Sequence, residues 1–145
     1  MTRPPRIDKQ GLNLHLGNGG VGGRTIHEAL RDFRYLLSRI AKVVRAGLIE
    51  VHAFCILGNH FHLLVRSVCG ELSTAMKLIQ SPYALYYNRT RQRRGPVYGG
   101  RFWSKVIQSY SYWHTVVRYI AQNPADAGLA ATAAEYPFGS ARHYN

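Results

Sequence analysis

Two apolar periodicities take turns along this chain, and their order restricts what it can fold into. Residues 11–18 (GLNLHLGN) alternate apolar and polar side chains, as a half-buried strand does. Residues 18–23 (NGGVGG) then form a flexible turn that can bring backbone close to a ligand. From Glu28 to Arg45 the apolar positions Leu30, Phe33, Leu37, Ile40, Val43 and Val44 recur at helical spacing, with Gly47 placed to stop the helix. Residues 51–57 and 60–65 are strands joined by the break Gly58-Asn59. Helical spacing resumes at Leu72, Met76, Ile79, Tyr83, Tyr86 and Tyr87, where Pro82 is expected to restart or kink the helix. Residues 95–107 form a basic, aromatic turn and a strand, and a last helix of about residues 111–122 should stop before Pro124. The order β-α-β-β-α-β plus one helix predicts an α+β fold: a ferredoxin-like antiparallel sheet with helices on one face. At 145 residues, the chain is expected to form one domain, residues 1–145.

The charge points to a polyanionic partner. Nineteen Lys and Arg against seven Asp and Glu give +12, and fifteen of the nineteen are arginines, which suit bidentate phosphate contacts. No acid lies between Glu71 and Asp126, yet that interval holds Lys77, Arg89, Arg91, Arg93, Arg94, Arg101, Lys105 and Arg118. No apolar run approaches the roughly 20 residues that span a bilayer, and no signal peptide opens the chain. Cys55 and Cys69 match no metal or redox spacing, so both are expected to be reduced thiols, Cys55 buried in a strand. A cytoplasmic, nucleoid-associated protein without a membrane partner is the expectation.

Candidate chemistry begins with His60-Phe61-His62. Residues i and i+2 of a strand share a face, so the two imidazoles project together. Two imidazoles can ligate a divalent cation but cannot complete its shell. His15 and His52 can face the same site or be ordinary polar strand residues. On the last helix, Tyr119 and Asn123 lie one turn apart on one face. Asn123 can offer an amide oxygen. A phenol is a weak nucleophile at neutral pH, and a nearby cation on the phosphate would assist its attack.

Residues 52–65 (HAFCILGNHFHLLV), 86–89 (YYNR), 95–105 (GPVYGGRFWSK) and 118–128 (RYIAQNPADAG) resemble, in order, the motifs of REP-associated tyrosine transposases. These are a branch of the HUH single-tyrosine superfamily, and the resemblance runs from about Gly11 to Tyr144. It implies that His60 and His62 are metal ligands for Mg2+ or Mn2+, that Asn123 stands at the third-ligand position, and that Tyr119 is the nucleophile. It also implies a transposase activity: nicking single-stranded DNA through a 5′-phosphotyrosine and rejoining it. The substrate would be palindromic repeats folded as hairpins. Arg89, Arg91, Arg93, Arg94, Arg101, Lys105 and Arg118 would then follow phosphates, while Tyr98, Phe102 and Trp103 stack on unpaired bases. A homodimer stays open. The chain departs from the family pattern at Gly19-Gly20 where Arg-Gly is usual, at Leu57-Gly58-Asn59 for Met-Pro-Asn, and at Pro82 within a helix; the first and third bear on DNA contacts.

Two other readings remain. One is a binding module of the same fold without catalysis, which would have no need of residues 60, 62, 119 and 123. The other is a metal hydrolase, for which the only acids at hand are Glu50, Asp126 and Glu135.

Overall fold

In the computed structural model, which describes residues 7–126, 128 and 136–140, the sheet has four antiparallel strands, Ile49–Ile56, His60–Ser67, Asn13–Gly19 and Trp103–Val106, adjacent in that order. The elements follow as β1 (Asn13–Gly19), α1 (Leu30–Arg45), β2 (Ile49–Ile56), β3 (His60–Ser67), α2 (Leu72–Thr90), β4 (Trp103–Val106) and α3 (Tyr110–Asp126). This is the predicted ferredoxin-like α+β arrangement with its additional helix. Among the described residues no helix is long and apolar enough to cross a membrane. Glu135 and Tyr144 lie outside the described residues.

Strand alternation divides the sheet into two faces. Leu14 and Leu16 of β1 and Phe61, Leu63 and Val65 of β3 meet α1 and α2 in the larger core. The α1 stripe is Phe33, Leu36, Ile40 and Val43, whereas Leu30 and Val44, expected inside, are 51% and 37% exposed. On the other face, α3 lays Val116 and Ile120 on Ala53, Cys55, Leu57 and Leu64. The helices therefore do not all share a face. A register shift between Val51 and Ala53 fits β2 to both layers. An extra residue there, His52, changes the parity of β2, so that small Ala53 and Cys55 turn toward α3.

Both prolines lie inside helices instead of ending them. α2 runs unbroken through Pro82, held by Tyr83, Tyr86 and Tyr87, whose hydroxyls donate to Ile26 O, Asp32 Oδ1 and Thr25 O. Pro82 forfeits one helix bond to Leu78, whose side chain is on the exposed side, where water can serve. Pro124 comes in the last turn of α3, where it removes one bond only.

After α3 the chain returns along β2. Ile56 N–H donates to Phe138 O at 2.9 Å, Phe54 N–H to Ser140 Oγ at 2.9 Å, and Gly139 bridges Cys55. Phe138 also stacks on Phe33 at 4.1 Å.

Candidate active site

Alternation places His60, His62 and Leu64 of β3, His15 and Gly17 of β1, and Trp103 and Lys105 of β4 on the α3 side of the sheet. A cleft of about 400 Å³ opens between this face and α3, lined by His15, His62, Trp103, Lys105, Thr115 and Tyr119. The His60 and His62 rings are 5.0 Å apart. The Tyr119 ring is 5.5 Å from His62 and nearly perpendicular to it, and 6.0 Å from His15. Tyr119 is half exposed, so its hydroxyl is within reach of a ligand.

Each histidine of the pair has its Nδ1 engaged. His60 Nδ1 lies 2.6 Å from Asn59 Oδ1, and an amide oxygen only accepts, so that nitrogen carries the proton. His62 Nδ1 lies 3.3 Å from His15 Nε2. If His15 accepts there, both ligand candidates present an Nε2 lone pair, the donor that a cation needs. Burial keeps these rings neutral. It lowers His62 to about 3, with His60 and His15 adding to the effect, lowers His15 to about 4 with help from Lys105, and lowers His60 as well.

Gly17 shapes the floor of the cleft. A Cβ there would meet the Phe61 carbonyl oxygen at 2.4 Å and Trp103 Cζ2 at 2.8 Å. Its absence lets the indole lie against the sheet, edge-on to His15 at 4.8 Å and beside His62 at 5.6 Å. Gly17, Tyr112 and Thr115 are site residues that periodicity did not single out, although a glycine inside a strand pattern signals close approach. Asn123 is half-buried on α3, one turn beyond Tyr119. Among the described residues no three of His, Cys, Asp and Glu gather closely enough to hold a metal. His52 sits at the bulge, edge-on to Trp113 at 5.9 Å.

The candidate DNA contacts fare unevenly. Trp103 and Lys105 line the cleft, and Arg101 and Arg118 are exposed. Arg89 and Arg94 are exposed at the end of α2, in the layer on the opposite face of the sheet. Arg91 does not fit the sequence expectation. Its guanidinium donates to buried Asp32 from Nη1 at 3.1 Å and from Nη2 at 2.5 Å. Phe102 is also corrected: one residue out of phase with Trp103, it points into the larger core and is 6% exposed. Tyr98 is half-buried beside Phe61 and Tyr83, with its hydroxyl enclosed. Arg93 is tied to Asn88 Oδ1 and Pro96 O.

A model of the IS200-like transposase family matches residues 26–123. A comparison with proteins of curated function returned no match. Among solved structures, a REP-associated tyrosine transposase bound to a REP hairpin aligns over 99% of this chain and 84% of its own, with a TM-score of 0.81 and 19% identity. A putative transposase from Deinococcus radiodurans R1 aligns over 82% of this chain and 95% of its own, with a TM-score of 0.54 and 13% identity. These similarities establish a shared fold.

Proposed function

The chain belongs to the IS200-like transposase family, and from that membership we propose that it nicks and rejoins single-stranded DNA, with Tyr119 as the nucleophile. The observation that carries this reading is the placement of a half-exposed Tyr119 against His62, across a cleft between a strand and a distant helix. His60 and His62, each with Nδ1 already occupied, are suited to hold Mg2+ or Mn2+ through Nε2, and Asn123 is the candidate third ligand. A cation bound there would offset the charge that develops on the scissile phosphate.

The chain's own groups account for the remaining chemistry. The Tyr119 oxygen attacks phosphorus, the P–O3′ bond breaks, the phenolic proton passes to solvent, and solvent returns a proton to the departing 3′ oxygen. The products are a 5′-phosphotyrosine and a free 3′-hydroxyl. Attack by a 3′-hydroxyl on that link releases Tyr119 and rejoins the strand, with one phosphodiester lost and one formed. Lys105 places an ammonium in the same cleft, where it can pair with a phosphate oxygen. Trp103, 40% exposed, offers a stacking surface beside it. By analogy with the structural neighbour, which holds a REP hairpin, the substrate proposed is a hairpin-forming palindromic repeat. Arg89 and Arg94 are then available to a duplex stem, away from the cutting cleft.

The test is incubation with single-stranded hairpin DNA and magnesium or manganese, followed by a denaturing gel. A shifted protein–DNA adduct that disappears in Tyr119→Phe is expected. An adduct that persists in that variant removes Tyr119 from the role. Tight hairpin binding that EDTA does not affect, with no adduct on any substrate, would identify a binding module in place of an enzyme.

A further inference from the structure

The turn that delivers His60, Leu57-Gly58-Asn59, is fastened at all three of its carbonyl groups. Leu57 O accepts from His27 Nδ1 at 2.6 Å, Gly58 O from Ile26 N at 2.8 Å and His27 N at 2.9 Å, and Asn59 O from Gly20 N at 2.9 Å. Leu57 N–H closes the turn on His60 O at 2.8 Å. We propose that Asn59 is a positioning residue whose side-chain oxygen sets the tautomer of His60, with the proton on Nδ1 and a free lone pair on Nε2. The proposal rests on the reading of His60 as a cation ligand and names the group that makes it one.

A neutral imidazole carries one ring proton, on either nitrogen. In water the form protonated on Nε2 prevails, and that form has no lone pair on Nε2 to offer. His60 therefore needs a partner that reverses the preference. Asn59 Oδ1 lies 2.6 Å from His60 Nδ1, and an amide oxygen accepts without donating, so the contact admits only the Nδ1–H form. The contact of His62 is different. Its Nδ1 meets His15 Nε2 at 3.3 Å, and two imidazoles can bond in either sense. Of the two ligand candidates, His60 is thus the one whose tautomer a neighbour dictates.

The fastened turn explains how an exposed residue can do this. Asn59 is exposed, and an amide on a loose loop would divide its hydrogen bonds with water. Fixing a backbone costs conformational entropy, and the bonds from Gly20, Ile26 and His27 impose that order before any ligand arrives. Gly58 has no side chain to stiffen the turn, so the stiffness comes from those distant residues. The end of β1 presses on the same point. A Cβ on Gly19 would come within 3.3 Å of Asn59 O and 3.5 Å of His60 Cβ. Asn59 and His60 are thereby delivered together, as one unit.

The experiment uses the full, metal-free chain with nitrogen-15-labelled histidine at neutral pH. Long-range proton–nitrogen NMR spectra separate the two tautomers, because protonated and bare ring nitrogens resonate far apart. A His60→Gln variant assigns the His60 signals among those of the seven histidines. The wild-type His60 should be in the Nδ1–H form, and Asn59→Ala should move it toward Nε2–H. Asn59→Asp has the same shape and, when ionised, only accepts, so it should keep the Nδ1–H form; a merely structural role would not follow the acceptor in this way. Asn59→Ala, at an exposed position, keeps the fold, with circular dichroism as the check. Calorimetric titration with manganese chloride should then show binding weaker by roughly 10–100-fold in Asn59→Ala. A wild-type His60 in the Nε2–H form, a tautomer unchanged in Asn59→Ala, or equal Mn2+ affinities would overturn the proposal. Failure of the cation-ligand reading shows itself differently, as a wild-type chain that binds no Mn2+ although its His60 tautomer follows Asn59.

Discussion

Replacing Arg91 by alanine should cost stability and leave DNA affinity nearly intact. Asp32 is fully buried and accepts from both Arg91 Nη atoms, from Tyr86 Oη at 2.7 Å, and from Glu28 N and Ala29 N at 2.9 Å. The Arg91 side chain is itself only 20% exposed. Removing one partner of such a pair leaves a buried carboxylate without its counter-charge, a loss of about 3–5 kcal/mol. For a domain of this size that corresponds to a melting point lower by roughly 10 °C. Burial would raise the Asp32 pKa, but the hydrogen bonds from Arg91, Tyr86 and the two backbone amides outweigh it and hold the carboxyl well below the usual range. A depressed pKa contributes stability above the unfolded value near 4, and that contribution is lost as pH falls through the folded value. The gap between wild type and Arg91→Ala should therefore narrow on acidification, because protonation relieves the variant's orphaned charge. Urea unfolding at several pH values measures this. An Arg91→Met, Asp32→Leu double variant should recover much of the loss. Unchanged stability in Arg91→Ala, with a hairpin-binding salt slope smaller by about 1, would refute the reasoning and return Arg91 to the phosphate contacts.

Three other outcomes follow from the geometry. In the Tyr119→Phe background, His15→Leu should weaken Mn2+ binding roughly 10–100-fold by calorimetry, while His15→Gln, which keeps an acceptor, should retain most of it; equal affinities would show that the His15–His62 contact is idle. Gly17→Ala should destabilise the protein by about 1–3 kcal/mol and alter the near-ultraviolet tryptophan signal, since the added carbon would overlap the Phe61 carbonyl and the Trp103 ring; an unaltered spectrum would contradict this. His27 is 2% exposed and burial lowers it to about 4, so the unfolded chain binds a proton that the folded one refuses between pH 6.5 and 4. His27 should by itself contribute a fall of about 3 kcal/mol across that window, at ~1.4 kcal/mol per pH unit, in addition to what His15 and His62 contribute; a His27→Phe variant with the same slope as the wild type would place the effect elsewhere.

What could be read from the sequence was set by local geometry. His60 and His62 share a face because a strand repeats every two residues, and Tyr119 and Asn123 share one because a helix turn holds about four. The ferredoxin-like order followed from the same two periods. Features that depend on distant contacts were hidden. The bulge at His52 becomes apparent only when Ala53 and Cys55 are seen under α3. Pro82 and Pro124 read as breaks because the cost of a proline is local, whereas the packing that offsets it is tertiary. The basic run looked uniformly available to phosphate, but Arg91 has a carboxylate 59 residues away in sequence. Phe102 and Trp103 differ by one residue in phase, and composition cannot tell the core-facing ring from the cleft-facing one.

The returning segment at residues 136–140 has a bearing on self-association. An outer strand with unpaired amides and carbonyls is a template for a second copy, and continuous intermolecular sheets begin at such borders. Here the border formed by β2 is already taken at Phe54, Cys55 and Ile56 by the chain's own later residues. The opposite border, β4, is four residues long and carries Lys105, a length and charge that discourage further addition. A second copy could extend the sheet along this part of β2 only by displacing residues 136–140 from Phe54, Cys55 and Ile56.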